Sequence, residues 1–234
     1  MPRLADAREV SIRDGAVTLP GDLVVPGDAM GVVLFAHGSG SSRRSPRNRE
    51  VAAYLHEAGL ATLLFDLLTP AEAQDRGNVF DIGLLARRLE AATAWADVAI
   101  QPPLPIGYFG ASTGAAAALV AAADLGTHIR AVVSRGGRPD LAGGRLGAVT
   151  APTLLIVGGR DQVVLELNRE AAGHLRCEHA IQVVTGATHL FEEPGTMAQV
   201  SDLARAWFTE HLTRTGSRAA PAPSRLPRSS GSDP

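Results

Sequence analysis

The sequence lacks lysine entirely, since all 22 of its basic residues are arginines. Without a lysine amine the chain cannot form a Schiff base with a carbonyl substrate, fill a phosphate-loop lysine position or build a Ser–Lys dyad. Cysteine is nearly absent too, and Cys177 is the only one. One cysteine excludes an internal disulfide and a cysteine-based zinc cluster.

Long apolar runs are also missing. No stretch approaches the roughly 18 continuous apolar residues of a membrane-spanning helix, and the first nine residues, Met1 to Glu9, contain no apolar core of signal-peptide length. The formal net charge of −2 gives no global reason to expect nucleic acid or an anionic membrane as a partner. We therefore expect a soluble cytoplasmic protein, a monomer or homodimer, whose partner is a small molecule.

Short apolar segments alternate with stretches of helical spacing along most of the 234 residues. A hairpin at the start, with its turn at Asp14-Gly15, predicts an antiparallel edge. The segments that follow predict an α/β fold: a mostly parallel central sheet with helices on both faces. We expect one domain over residues 1–213. Residues 214–234, rich in Ser, Pro and Arg, predict a disordered tail.

The segment Gly110-Ala111-Ser112-Thr113-Gly114 stands between a short apolar run and an alanine-rich helical run. A serine in this Gly-x-Ser-x-Gly context sits on a sharp turn between a strand and a helix, the arrangement called a nucleophile elbow. The two glycines allow neighbouring backbone to pass close to the turn. The pattern also occurs by chance in ordinary turns, and the flanking strand and helix favour the catalytic interpretation.

Two further residues complete a possible catalytic triad. A serine hydroxyl needs a base to take its proton, and the imidazole of that base needs a carboxylate to fix its tautomer. Asp161 follows a predicted strand and a Gly-Gly turn, and His189 follows the last predicted strand. The order Ser112, Asp161, His189 is the one expected with this kind of elbow. The carboxyl ends of parallel strands would bring the three side chains to one edge of the sheet.

An acyl-transfer site also needs two hydrogen-bond donors for the oxyanion. One would be the backbone amide of Thr113, at the start of the helix. The other would be the amide of Ser39, in a glycine-rich loop that follows the predicted strand from Gly31 to Ala36.

With these motifs in this order, the chain resembles the α/β-hydrolase superfamily. Its compact size, without an insertion for a large cap domain, is similar to the dienelactone hydrolase-like branch. The resemblance implies Ser112 as nucleophile, Asp161 as acid and His189 as base, with Ser39 and Thr113 forming the oxyanion hole. The dienelactone hydrolases proper carry cysteine at the nucleophile position, and this chain carries serine there. That difference favours serine esterase chemistry over the dienelactone substrate.

Other residues have competing interpretations. We interpret His37 as a structural histidine and rank Asp66 behind Asp161 as the acid. The spacing of His174, Cys177 and His179 does not favour a metal site, and no metal or cofactor is expected. The loop arginines are interpreted mainly as solvated or paired charge; if one binds substrate, Arg43 and Arg135 are the candidates.

These observations predict a serine hydrolase that cleaves a small carboxylic ester, thioester or lactone through an acyl-enzyme. An acyltransferase with the same triad and a non-catalytic binding module on the same fold remain the alternatives.

Overall fold

The computed structural model describes residues 7–212. The predicted tail at 214–234 therefore lies outside the described residues. Eight strands form one sheet: β1 (Arg8–Asp14), β2 (Val17–Val24), β3 (Gly31–Ala36), β4 (Leu60–Phe65), β5 (Ile106–Ala111), β6 (Ile129–Arg135), β7 (Thr153–Gly158) and β8 (His179–Val184). The helices are α1 (Pro46–Glu57), α2 (Arg76–Phe80), α3 (Ile82–Ala99), α4 (Thr113–Leu125), α5 (Gln162–Ala172) and α6 (Thr196–Leu212).

The sheet has the strand order β1-β2-β4-β3-β5-β6-β7-β8. Only β1 with β2 and β2 with β4 pair antiparallel, and every other neighbouring pair is parallel. The predicted antiparallel edge and the mostly parallel sheet are both confirmed. Every residue of β3, β4, β5 and β7 is buried, because helices cover both faces of the sheet at these strands.

The two faces carry different helices. On one face α3 and α4 pack over a large apolar cluster, and on the other α1 and α6 cover a second one. The alanines of α4 are almost all buried, and their small side chains let the helix lie close to the sheet. No large cap domain lies over the sheet within residues 7–212, as predicted.

The connection from β4 to α3 contains elements that were not predicted from the sequence. It contains a 3₁₀ turn at Glu72–Gln74 and the short helix α2. Asp75 and Asp81 cap the starts of α2 and α3 through the backbone amides of Gly77 and Leu84. Further 3₁₀ turns at Gly126–His128 and Pro139–Ala148 were not predicted either.

Over the described range, no helix is both long and apolar enough to cross a membrane. Nor does that range contain a group of three or more His, Cys, Asp or Glu side chains placed to hold a metal ion.

Candidate active site

Ser112 occupies the turn between β5 and α4. Its backbone has φ 51° and ψ −121°, a conformation that residues with a Cβ rarely adopt. The Ser112 amide donates to the Arg135 carbonyl at the end of β6, and the Arg138 amide donates to the Ser112 carbonyl. These bonds on both sides of the residue hold the turn in its unusual conformation.

The two glycines of the motif are required by close backbone contact, as their sequence context suggested. A Cβ on Gly110 would lie 2.4 Å from the Cα of Ala115, in the first turn of α4. A Cβ on Gly114 would lie 2.1 Å from the Ala36 carbonyl oxygen at the end of β3. Both distances are far below van der Waals contact, so the elbow fits against the sheet only with glycine at these positions.

Asp161 and His189 meet at the carboxyl ends of β7 and β8. The His189 Nδ1–H donates to Asp161 Oδ2 at 2.6 Å, a short charge-assisted hydrogen bond. The carboxylate is largely buried, whereas the imidazole is partly exposed. With Nδ1 committed to the carboxylate, Nε2 is the nitrogen left to exchange a proton with a substrate or a nucleophile.

The loops that carry these two residues are joined through their backbones. The amides of Gly159 and Arg160 donate to the carbonyls of Val184 and Ala187. A Cβ on Gly158 would lie 2.5 Å from the Thr188 carbonyl oxygen and 2.6 Å from that of Ala187. Glycine at 158 therefore lets the histidine loop cross directly over the end of β7.

Ser112 and His189 line the same cavity of about 240 Å³. The described contacts include no hydrogen bond between the Ser112 hydroxyl and the imidazole. Such bonds are often long in a site without substrate and tighten when substrate binds. The structure thus brings the three predicted triad side chains to one edge of the sheet, with Asp161 and His189 already hydrogen-bonded to each other.

The predicted oxyanion donors lie on adjacent segments. A Cβ on Gly38 would lie 3.0 Å from the Ser112 Cβ, which places the loop after β3 directly against the turn that holds Ser112. The Ser39 amide donates to the Thr113 hydroxyl Oγ1 at 3.0 Å. No sequence pattern predicts this bond between the backbone of one predicted donor and the side chain of the other.

His37 is a structural residue of this loop. The Leu67 amide donates to its Nε2 at 3.1 Å, so Nδ1 carries the proton and donates to the Gly38 carbonyl at 3.0 Å. Burial lowers the pKa of His37, opposed by the Gly38 hydrogen bond and by the charge of Asp66. The neutral ring therefore joins the loop to the segment after β4.

The two candidate arginines have different surroundings. Arg43 forms ion pairs with Asp66 at 2.7 Å, Glu9 at 3.1 Å and Asp22 at 3.4 Å. Its charge is therefore already balanced by carboxylates of the protein. Asp66 pairs with Arg43 instead of with His189. Arg135 is buried without an ion pair to any described carboxylate, and it lines the cavity that contains Ser112.

A larger cavity of about 670 Å³ lies on the other side of the loop after β3, which carries the predicted oxyanion donor Ser39 (the oxyanion loop). Its wall includes Ser39 and Thr113, together with apolar side chains from the β4–α3 connection: Leu67, Leu68, Pro70, Ala73, Val79 and Phe80. Sequence reasoning missed this wall. The signal in the sequence is a set of apolar residues on either side of the polar stretch 69–77, at Leu67, Leu68, Val79 and Phe80.

Comparison with known proteins identifies the family. The chain is 53% identical to a dienelactone hydrolase from Anabaena variabilis, over 88% of this chain and 98% of that one, with a TM-score of 0.85. It also superposes on a serine hydrolase without a lid from Xanthomonas campestris, with 19% identity and a TM-score of 0.73 over 92% and 98% of the two chains. This second likeness concerns the fold alone.

Among curated proteins, the chain is 62% identical over 218 residues to a Mycobacterium tuberculosis protein provisionally named a phosphoribosyl transferase. The match covers 92% of this chain and 48% of that protein, so the chain spans about half the length of the curated relatives it matches. No family model matches the chain. The predicted resemblance is confirmed by the solved structures: the chain belongs to the dienelactone hydrolase family and has the α/β-hydrolase fold.

Proposed function

We propose that this chain is a serine hydrolase that cleaves a small carboxylic ester, thioester or lactone through an acyl-enzyme. One observation carries the proposal: the imidazole of His189 is bonded to Asp161 at 2.6 Å and lines the same cavity as Ser112 on its strained turn. Membership of a hydrolase family supports it.

In this mechanism the Ser112 Oγ attacks the substrate carbonyl carbon while His189 Nε2 takes the hydroxyl proton. Asp161 stabilises the resulting imidazolium. The imidazolium then returns the proton to the departing alcohol, thiol or ring oxygen, which leaves an acyl group on Ser112. Water, deprotonated by the same imidazole, attacks the acyl carbon and releases the acid and the free serine.

The oxyanion formed in each half of the reaction would accept hydrogen bonds from the amides of Thr113 and Ser39. The Ser39 amide is bonded to the Thr113 hydroxyl. We therefore propose that this amide exchanges the hydroxyl for the substrate oxygen as negative charge develops on it. Once both amides donate to the oxyanion, they would contribute a large part of the rate enhancement.

Reaction with a fluorophosphonate, followed by intact mass measurement, tests the assignment. We expect a single adduct on the wild-type protein, none on Ser112→Ala, and an undiminished adduct on Ser41→Ala, which removes a different hydroxyl from the same cavity. An adduct that survives Ser112→Ala would defeat the proposal. The absence of any adduct would instead favour a non-catalytic module on this fold.

Acyl transfer to an alcohol or amine is the second candidate. The observation that favours it is the 670 Å³ cavity beside the oxyanion loop, which has room for an acceptor molecule. Product analysis with water and added alcohols or amines in competition separates the two reactions. Hydrolysis predicts that the free acid dominates at every acceptor concentration.

The phosphoribosyl transferase name belongs to relatives about twice the length of this chain. Phosphoribosyl transfer displaces a leaving group from a sugar carbon and has no need of a hydroxyl activated by an imidazole–carboxylate pair. We propose that the name refers to the half of those proteins outside the matched 218 residues. An assay of this chain for phosphoribosyl transfer should then give no product.

A further inference from the structure

The oxyanion loop, residues 37–45, has no apolar side chain to hold it in place. It consists only of His, Gly, Ser and Arg residues, and Ser39, Gly40 and Ser41 are exposed. Burial of apolar surface, which stabilises the rest of the fold, therefore contributes little here. The position of the Ser39 amide depends instead on the polar contacts that connect this loop to the sheet.

Two contacts connect the loop to the segment after β4, one on each side of Ser39 in the sequence. Before Ser39, the Leu67 amide donates to His37 Nε2 at 3.1 Å. After it, Asp66 accepts two bonds from Arg43: the backbone amide donates to Oδ1 and Nη1 donates to Oδ2, both at 2.7 Å. Both oxygens of one carboxylate thus bind a single residue of the loop. We call these two bonds the Arg43–Asp66 clamp.

The clamp is anchored to the antiparallel edge of the sheet. The Asp66 amide donates to the Pro20 carbonyl of β2 at 3.1 Å. The Arg43 guanidinium also reaches Glu9 of β1 at 3.1 Å and Asp22 of β2 at 3.4 Å. The side chains of Arg43 and Asp66 are only 11% and 19% exposed. Solvent therefore screens their charge-assisted bonds less than those of a surface pair.

The guanidinium of Arg43 has no donor nitrogen without a carboxylate partner. Nε, Nη1 and Nη2 bind Asp22, Asp66 and Glu9, in that order. Arg49 adds a second guanidinium to Asp22 at 3.0 Å, so three carboxylates face two guanidiniums. This cluster has no excess positive charge to attract a substrate anion, although Arg43 and Asp66 line the larger cavity.

We propose that Arg43 and Asp66 are positioning residues for the oxyanion hole: their clamp keeps the Ser39 amide beside Ser112 when this amide releases the Thr113 hydroxyl. The proposal rests on the proposed function, because it assumes that an oxyanion forms at Ser112. Without the clamp, the loop is connected to the segment after β4 at one point instead of two, and it can move away from the oxyanion. Complete loss of one oxyanion donor lowers kcat by about 10²–10³-fold, which sets the upper limit of the effect.

A matched pair of ketones tests the clamp. With phenethyl trifluoromethyl ketone, the Ser112 Oγ adds to the carbonyl carbon, His189 takes the hydroxyl proton, and the carbonyl oxygen becomes an oxyanion. Phenethyl methyl ketone has a similar shape but a far less electrophilic carbonyl, so it measures binding without the oxyanion. Asp66→Ala should raise the inhibition constant of the trifluoromethyl ketone about tenfold to hundredfold, and that of the methyl ketone by less than about twofold.

An Arg43 variant separates positioning from substrate binding. Arg43→Met loses the guanidinium, but its backbone amide can still donate to Asp66. Its effect on the trifluoromethyl ketone should therefore be smaller than that of Asp66→Ala, about twofold to tenfold. Direct contact between Arg43 and substrate predicts the reverse order, and that order would overturn the proposal. In both variants, the loss of kcat/KM for p-nitrophenyl butyrate should match the loss of trifluoromethyl ketone affinity.

Asp14→Ala is the matched control. Asp14 pairs at 2.6 Å with Arg88, whose side chain is only 7% exposed, and it lines neither cavity. Both alanine variants remove a carboxylate from a largely buried arginine, so both should lower the thermal midpoint. Only Asp66→Ala should change the ratio of the two inhibition constants. An unchanged ratio in Asp66→Ala, or an equal change in Asp14→Ala, would overturn the proposal.

If Asp66→Ala fails to fold, Arg43→Met decides, and an unchanged ratio in that variant would overturn the clamp. Failure of the proposed function looks different. In that case the wild type would not cleave p-nitrophenyl butyrate, and its preference for the trifluoromethyl ketone would be absent or would survive Ser112→Ala. If the wild type cleaves the ester through Ser112 and the ratio is unchanged in Asp66→Ala, the function stands and the clamp falls.

Discussion

Replacement of Ser112 by glycine should make the protein more stable while abolishing its activity. The φ of 51° and ψ of −121° at Ser112 fall in a region that glycine enters freely, and such a conformation costs any other residue about 1–3 kcal/mol. Glycine in turn loses about 0.5–1 kcal/mol more conformational freedom on folding than alanine. The difference makes the free energy of unfolding of Ser112→Gly about 1 kcal/mol higher than that of Ser112→Ala.

The comparison of these two variants isolates the backbone effect, because both lack the hydroxyl and both should be inactive. For a chain of this size, 1 kcal/mol corresponds to about 2–4 °C in the thermal midpoint. Thermal unfolding followed by circular dichroism, with urea unfolding as a second measure, provides the test. A midpoint for Ser112→Gly equal to or below that of Ser112→Ala would refute the argument that the backbone of Ser112 is strained.

Three further predictions concern the same edge of the sheet. Asp161→Asn should keep the fold but lower kcat for ester cleavage by about 10³–10⁴-fold, because the amide no longer fixes the His189 tautomer; a loss below tenfold would contradict this role. Gly114→Ala should lower the thermal midpoint sharply or prevent folding, since its Cβ would lie 2.1 Å from the Ala36 carbonyl oxygen. Burial lowers the pKa of His37 in the folded state, so the unfolded chain binds protons more readily below about pH 6.5. The free energy of unfolding should therefore fall as the pH drops below that value. Urea unfolding at pH 8 and at pH 5 tests this: between the two pH values, the free energy of unfolding should fall less for His37→Gln than for the wild type.

The parts of the fold that depend on local sequence could be predicted. The apolar runs of β3 and β5 identified buried strands, and the Gly-x-Ser-x-Gly segment identified the turn between β5 and α4. Each of these features is determined by neighbouring residues. The edge of the sheet at which Ser112, Asp161 and His189 gather followed from the alternation of strands and helices alone.

Features that depend on distant contacts could not be predicted. Sequence alone ranked Arg43 and Arg135 equally as substrate-binding candidates. They differ because Arg43 meets Asp66 and Asp22, which are 23 and 21 residues away, whereas no described carboxylate reaches Arg135. The bond between the Ser39 amide and the Thr113 hydroxyl spans 74 residues, and no local pattern encodes it.

The crossing of the histidine loop over the end of β7 affects how this site tolerates change. The amides of Gly159 and Arg160 are bonded to the next loop. The two loops that carry the Asp161 carboxylate and the His189 imidazole are therefore held together as one unit. Ser112 belongs to a different unit, built from β5, α4 and the end of β3. Insertions in either of these loops would shift Asp161 and His189 together, so directed evolution could reposition the imidazole relative to Ser112 without breaking the hydrogen bond between Asp161 and His189.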